Sequence, residues 1–309
     1  MSKNTNLNIA KKDKYDEFYT LYDDIDKEVR HYKKHFKGRV VFCNCDDPEW
    51  SNFWKYFHQN FEKLGLSGLM ATHYTDEGQS YILKYEGDCD SDIDCGVFQQ
   101  LNGNGDFRSK ECIDLLKQYN PIVVTNPPFS LMTHFIHTLI ETNVQFLFIG
   151  SMNAIKYKNV FPLVKEDKLW LGVNCGSMHF RVPDNYDRNN SYVKDNIKYA
   201  KFGNICWYTN LTHAKRLNPI ELTTDFDVNK HIYLDNHMAI NIAKVAEIPK
   251  NYNGIMAVPI SFMAKYCPSQ FEIIGEFNHG CDNIYDFAKP TINGKELFPR
   301  IAIRKVVNA

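Results

Sequence analysis

The chain has 309 residues, of which 44% are hydrophobic and 24% charged, with a formal net charge of −1. This composition is typical of a folded protein with a substantial core, and it excludes an intrinsically disordered chain or a membrane-spanning one. Nine cysteines without a CxxC pair or a Cys/His ligand spacing indicate reduced thiols in a cytoplasmic protein, with neither a disulfide framework nor a metal site.

The first half of the chain alternates amphipathic helices with short apolar strands. We predict helices near residues 25–36, 51–64, 109–116 and 130–140, and strands near residues 40–43, 69–73, 122–124 and 146–149. Ser51, Ser109 and Ser130 are placed to cap the amino ends of three helices, and Gly65 to end one of them. This alternation predicts an α/β fold, with helices packed on an open, mostly parallel sheet.

Polar clusters at residues 44–48, 106–107 and 126–129 follow strands of this sheet, at the edge where such folds bind ligands. Beyond about residue 170 the pattern fades into short strands near residues 178–182, 205–209 and 255–259. We therefore predict a catalytic domain over residues 1–210 and a smaller C-terminal region over residues 211–309.

Charge is unevenly distributed along the chain. Residues 76–94 are strongly acidic, whereas lysines and arginines cluster at residues 156–168, 194–201 and 300–305. These runs allow a basic cleft on a neutral protein, although solvated surface charge is the simpler interpretation of any single run.

The tetrapeptide Asn126-Pro127-Pro128-Phe129 follows a predicted strand, and it can be either a proline turn or a catalytic motif. The nitrogen of a purine amino group is a poor nucleophile because its lone pair is delocalised into the ring. The Asn126 side chain and the Pro127 carbonyl can accept its two hydrogens and favour tetrahedral geometry, while the prolines fix both acceptors beforehand. Phe129 offers an apolar face on which a base can stack.

The stretches around this motif resemble the EcoRI-type family of adenine-specific (N6) DNA methyltransferases over nearly the whole chain. They are DEFYT (16–20), VVFCNCDDP (40–48), GDFRSKECIDLLKQYNPIVVTNPPFS (105–130), FLFIGSMNAI (146–155), GNICWYTNL (203–211), DNHMAIN (235–241), IPKNYNGIMAVPISF (248–262) and QFEIIG (270–275). The resemblance implies a Rossmann-like sheet that binds S-adenosylmethionine, with a smaller C-terminal recognition region.

The resemblance also implies roles for individual residues at a cofactor site. Tyr19 and Thr20 would contact the methionine part of the cofactor, and Asn44 and Asp46 stand at the first cofactor motif. Asp46 and Asp47 are both candidate partners of the ammonium group, and Asp46 is preferred because it lies nearer the end of the strand. Asp106 would accept from the adenine amino group, and Phe107 would pack on the adenine ring. The sequence departs from the common pattern in two places, since the Gly-x-Gly after the first strand and the ribose-binding acid after the second are absent. Asp76 could replace that acid, although a solvated loop acid is the simpler interpretation.

The function implied is methylation of N6 of an adenine flipped out of double-stranded DNA, either within a restriction-modification system with a cognate endonuclease or by a solitary enzyme. The alternatives are methylation of RNA adenine, methylation of a protein glutamine, and an inactive DNA-binding relative. Trp207 and Tyr208 could stack on the flipped base or be ordinary core aromatics.

Overall fold

The computed structural model describes residues 18–76, 78–87, 96–278 and 284–306. The chain divides into two compact units, one formed by Met1–Ser151 with Gly172–Leu211 and the other by Met152–Leu171 with Thr212–Ala309. The sequence did not predict that residues 152–171 join the second unit. Residues 77 and 88–94 of the acidic stretch and the first two residues of DEFYT lie outside the described residues.

The first unit is built on a sheet of ten strands in the order β1-β8-β10-β7-β6-β2-β3-β4-β5, with β9 paired to β10. The strands are β1 Tyr19–Thr20, β2 Val40–Cys43, β3 Gly68–His73, β4 Tyr81–Tyr85, β5 Val97–Gln100, β6 Ile122–Thr125, β7 Gln145–Ser151, β8 Trp170–Arg181, β9 Ser191–Lys194 and β10 Ile197–Thr209. The four central strands β7, β6, β2 and β3 are parallel. Antiparallel strands extend this parallel core on both sides.

The described residues of the first unit form six α-helices. They are α1 Tyr22–Val29, α2 Lys33–Phe36, α3 Asn52–Gln59, α4 Phe61–Leu64, α5 Lys110–Tyr119 and α6 Met132–Glu141. The Ser51 hydroxyl accepts from the backbone N–H of Phe53 at 3.0 Å, and Gly65 ends α4 at φ 64°. The predicted cap at Ser130 is wrong, because a 3-10 turn over Phe129–Leu131 delays the start of α6 to Met132.

The α/β prediction is confirmed, but the sheet is mixed rather than mostly parallel. Alternating apolar strands with helices on both sides indicated the parallel centre. In the described part of the chain, no helix separates β4, β5, β9 or β10 from the strand before it. The local sequence pattern therefore could not predict that these strands run antiparallel to their neighbours. Trp207 and Tyr208 are both fully buried in β10, and the Tyr208 hydroxyl donates to the carbonyl of Ser151 at 2.8 Å. They are therefore core aromatics.

Glu28 of α1 ties the helical layer to β8. Its fully buried carboxylate accepts from the Tyr32 hydroxyl at 2.8 Å and from the backbone N–H groups of Val173 and Asn174 at 2.7 and 2.8 Å. A Cβ atom at Gly172 would lie 2.3 Å from Glu28 Oε1 and 2.7 Å from the Cβ of Trp207. The chain therefore needs glycine here to let β8 approach the carboxylate.

Gly172→Ala is expected to destabilise the protein by about 1–3 kcal/mol, because the added methyl group overpacks a site that cannot open. Gly203→Ala is the matched control, since a Cβ atom there meets nothing within 4 Å. Urea denaturation of both variants measures the difference. Equal stability of the two variants would contradict the packing described at Gly172.

The second unit contains a five-stranded sheet in the order β11-β12-β17-β13-β14 and a separate hairpin, β15–β16. The strands are β11 Ala239–Asn241, β12 Ile255–Pro259, β13 Phe271–Phe277, β14 Asp286–Phe287, β15 Thr291–Ile292, β16 Lys295–Glu296 and β17 Arg300–Lys305, and the helices are α7 Phe161–Lys165 and α8 Ala214–Leu217. The buried Arg216 holds residues 152–171 in this unit. Its guanidinium pairs with Asp167 and lies 4.2 Å from the centre of the Trp170 ring.

Candidate active site

Asn126 lies directly after β6, at the carboxyl edge of the parallel strands. Its side-chain N–H donates to the backbone carbonyl of Phe18 at 2.6 Å. Its side-chain oxygen is buried and has no hydrogen-bond partner among the residues that the structure describes. Because the nitrogen is engaged, the orientation of the amide is fixed and the oxygen remains available as an acceptor.

Asp46, in the loop after β2, holds the start of the tetrapeptide in place. Its carboxylate accepts from the backbone N–H of Asn126 at 3.0 Å and from the Ser51 hydroxyl at 3.0 Å, and it also accepts from the Thr125 hydroxyl. Burial raises the pKa of Asp46 to about 6, although these hydrogen bonds favour the charged form. Within the described ranges no lysine or arginine forms an ion pair with it, so a carboxylate with four acceptor positions is left without a counter-ion.

Phe129, the last residue of the tetrapeptide, packs against other aromatic rings. The Phe129 side chain is partly buried, with its ring centre 5.8 Å from that of Phe18 and 6.4 Å from that of Phe180. The carbonyl of Pro128 accepts from the backbone N–H of Leu131 at 2.9 Å. The carbonyl of Pro128 is therefore engaged in the turn, which agrees with the choice of Pro127 as the second acceptor.

Two further buried residues near Asn126 also have polar atoms without partners. Both side-chain atoms of Asn44, which is 2% exposed, and the hydroxyl of Thr20, which is 4% exposed, make no hydrogen bond to any described group. β2 and β6 are adjacent, and the Cys45 N–H donates to the Thr125 hydroxyl at 3.1 Å, so the loops that carry Asn44 and Asn126 are joined. Buried polar groups normally form hydrogen bonds, and each buried group without one lowers the stability of the fold by about 1–3 kcal/mol. A cluster of buried polar groups without hydrogen bonds indicates a binding site for a polar ligand.

Two residues of the DEFYT motif lie in the main sheet of the first unit. Tyr19 and Thr20 form β1, opposite Arg181 and Phe180 of β8. The Thr20 carbonyl accepts from the side-chain N–H of Asn52 at 2.7 Å. The structure therefore brings Tyr19, Thr20, Asn44, Asp46 and Asn126 into one region of the first unit.

Asp106 lies in the loop that precedes α5, close to the end of β3. Gly105 adopts φ 76°, and a Cβ atom there would lie 2.3 Å from the carbonyl oxygen of His73. The Asp106 carboxylate accepts three hydrogen bonds from Arg108, at 2.6, 2.7 and 2.8 Å. Burial tends to raise the pKa of Asp106, but these bonds and the charge of Arg108 lower it below its ordinary value. A carboxylate has about four acceptor positions, so one remains for a further donor.

Phe107 is 3% exposed, with its ring edge against Phe135 of α6 at a centre-to-centre distance of 5.1 Å. Its ring is thus part of the packing between the Asp106 loop and α6.

The sequence assigned no role to His73, and Asp47 was considered there only as the alternative to Asp46 for the ammonium group. The carboxylate of Asp47 pairs with Nδ1 of His73 at the end of β3, and the His73 ring stacks on Tyr81 at 4.9 Å. An acid from the loop after β2 therefore reaches the end of the second parallel strand, where the ribose-binding acid is missing from the sequence. Asp76, the substitute suggested earlier, is bonded to the Tyr74 hydroxyl at an exposed position. The only signal for Asp47 was the pair of adjacent acids at residues 46 and 47.

Comparison with known proteins identifies the family of the chain. The profile of the family described as adenine-specific methyltransferase EcoRI matches residues 6–305. The chain is 42% identical to the Type II methyltransferase M.EcoRI of Escherichia coli over 320 residues, which cover 96% of the chain and 95% of the relative. It is 42% identical to M.MpnI of Mycoplasma pneumoniae over 87% of the chain and 84% of the relative, and 38% identical to M.MgeORF184P of Mycoplasma genitalium over 87% and 85%.

No solved structure gives a significant match to the chain. In the described part of the chain, no helix has both the length and the apolar character that a membrane span requires. The match to the family profile extends over both units, and the Asn-Pro-Pro-Phe motif lies at the sheet edge that binds ligands in α/β folds. The chain belongs to the EcoRI family of adenine-specific methyltransferases.

Proposed function

We propose that this methyltransferase transfers a methyl group from S-adenosylmethionine to the exocyclic N6 of an adenine turned out of duplex DNA. The observation that carries the proposal is the amide of Asn126, whose nitrogen is bound to Phe18 and whose buried oxygen is free to accept. The family and the names of the relatives support the proposal, since adenine methylation and Type II methyltransferases are what they describe.

In this proposal Asn126 and Pro127 accept the two hydrogens of the adenine amino group. Asp46 contributes indirectly, because its bonds to Thr125 and to the N–H of Asn126 keep both acceptors in one position. Acceptors that are fixed beforehand need no reorganisation during the reaction, which is the main source of electrostatic catalysis. Phe129 provides the apolar surface for the base, supported from below by Phe18.

The donor set fits S-adenosylmethionine, which supplies an electrophilic methyl group on a positively charged sulfur. Asp46 offers a buried negative charge to the cationic methionine end, and Thr20 and Asn44 offer the unpaired polar atoms described above. Asp106 has one acceptor position left for an adenine amino group, and Asp47 stands at the end of β3 for ribose hydroxyls. Tyr19 and Phe107 complete the set as packing neighbours. We propose these residues as the cofactor site.

The relatives are named Type II methyltransferases. We therefore propose that the chain protects a DNA site from a cognate endonuclease or acts as a solitary methylase. The proposal is tested by incubating the purified chain with S-adenosylmethionine and duplex DNA and analysing the released nucleosides by mass spectrometry. N6-methyladenine is the expected product, and methylated cytosine or unmodified DNA would contradict the proposal.

Asp106→Ala is expected to weaken S-adenosylmethionine binding by about 1–3 kcal/mol, since the cofactor's amino group loses its acceptor. Isothermal titration calorimetry measures the change. Arg108→Ala is the matched control, because it removes the same ion pair but keeps the carboxylate. If both variants bind the cofactor equally weakly, Asp106 acts only through the loop that it shares with Arg108.

A further inference from the structure

Strands β8, β9 and β10 extend the first unit beyond the catalytic loop. β9 and β10 form a hairpin in which Tyr192 lies opposite Tyr199 and Lys194 opposite Ile197. Side chains alternate along a strand, so Lys201 shares the face of Tyr199. Each strand therefore has one side that carries these polar and aromatic residues and a second side that points away from them.

The second side of β8 and β10 is core. Phe180, Ala200 and Phe202 are at most 4% exposed, and the rings of Phe180 and Phe202 lie 5.9 and 4.7 Å from that of Phe18. Phe18 is the residue whose carbonyl holds the amide of Asn126. The strands thus pack directly against the support of the catalytic asparagine.

The opposite side faces solvent and is here named the basic-aromatic face. It consists of Arg181, Tyr192, Lys194, Tyr199 and Lys201. Tyr192 and Tyr199 stack at 5.6 Å, and the Tyr192 hydroxyl is 2.7 Å from Nδ1 of His179. The aromatic residues are therefore braced, while the three cations at the ends of the face are exposed.

The charge on these strands is of one sign. The residues of β8, β9 and β10 include no aspartate or glutamate, although the chain as a whole carries as many acids as bases to within one charge. Within the described ranges, Arg181, Lys194 and Lys201 form no ion pair with a carboxylate. Three unpaired cations with interleaved tyrosines form a surface suited to a polyanion that also has flat or apolar parts.

We propose that the basic-aromatic face binds the phosphate backbone of duplex DNA beside the target adenine, a proposal that rests on the function proposed above. A base held at Asn126 brings its own strand with it, and the face belongs to the strands whose other side packs on Phe18, the residue that holds the Asn126 amide. Lysine and arginine contacts to phosphate set the position of the duplex rather than the sequence that is read.

The test replaces both lysines of the face, as Lys194→Gln/Lys201→Gln. If each contacts one phosphate, the slope of log affinity against log salt should become shallower by about 1.8, because each neutralised phosphate contributes about 0.9. Binding strengths that converge near 1 M salt then differ by about 60-fold at 0.1 M salt. Fluorescence anisotropy with a labelled duplex measures both quantities.

Lys63→Gln/Lys117→Gln is the matched control. Both lysines are exposed in the last turns of α4 and α5, which lead into the parallel strands β3 and β6. They therefore lie at the edge of the sheet opposite Asn126, and this control should keep the affinity and the salt slope of the wild type. Calorimetry with S-adenosylmethionine confirms that both double variants are folded.

A salt slope and an affinity that stay at the wild-type values in Lys194→Gln/Lys201→Gln would overturn the proposal. So would an equal loss in the control, because it would indicate a nonspecific effect of net charge. The result is separable from the proposed reaction: a wild-type chain that binds duplex DNA through this face but forms no N6-methyladenine would refute the reaction and leave the face assigned.

Discussion

Asn126→Ala is expected to lower the turnover rate by about 10²–10³, the usual effect of removing one preorganised hydrogen-bonding group from an active site. The variant removes the buried acceptor and also releases the Phe18 carbonyl. S-adenosylmethionine and DNA are bound mainly by other residues, so their affinities should change little. Single-turnover methylation of a duplex oligonucleotide separates the chemical step from binding.

Asn126→Asp is the sharper companion variant. It keeps an acceptor but replaces the N–H that donates to Phe18 by an oxygen, so that two oxygens would face each other across 2.6 Å in the present geometry. We expect a loss of rate with a displaced loop rather than a simple loss of one contact. An Asn126→Ala enzyme that methylates at the wild-type rate would falsify the catalytic assignment.

The second large effect is expected at Asp46. The pKa of about 6 describes a buried carboxylate without a counter-ion, and a bound cation would lower that pKa. A group whose pKa falls on binding releases a proton below its free pKa, so cofactor affinity should be constant above about pH 6 and decrease as pH falls through 6. Asp46→Asn should weaken cofactor binding about 10- to 150-fold near pH 8, since a charged hydrogen bond is worth about 1.5–3 kcal/mol.

Calorimetry between pH 5 and pH 8 measures this dependence. Asp46→Asn should abolish the decrease in affinity below pH 6, whereas Asp47→Asn, a change of the neighbouring acid that pairs with His73, should leave the decrease in place. Both variants remove one negative charge, and both changes lie in the same loop. A pH profile that persists in Asp46→Asn would assign the titration to another group.

The parallel strands at the centre of the sheet could be predicted because local sequence patterns indicate them. Apolar runs such as Val40–Cys43 and Ile122–Thr125 mark buried strands, and the Ser51 and Ser109 hydroxyls cap their helices as their positions indicated. These features depend on residues within one or two turns of each other. The place of Asn126 at the end of β6 follows from them directly.

The hydrogen bonds that position Asn126 could not be predicted from local sequence patterns. The bond from Asn126 to Phe18 spans 108 positions in sequence, and that from Asn126 to Asp46 spans 80. Residues 152–171 belong to the second unit, where Asp167 pairs with Arg216 across 49 positions in sequence. Local spacing identifies which residues stand at strand ends, whereas the choice of partner is set by packing across the sheet.

The most direct test of the account is to sequence DNA for modified bases after expressing the chain in a methylation-deficient host. The wild-type chain should place N6-methyladenine at one recurring sequence, and the Asn126→Ala chain, produced at the same level, should leave adenine unmodified. Unmodified DNA from cells that contain folded wild-type protein, or modification by both chains alike, would contradict the claim that Asn126 is the centre of an adenine-methylating site.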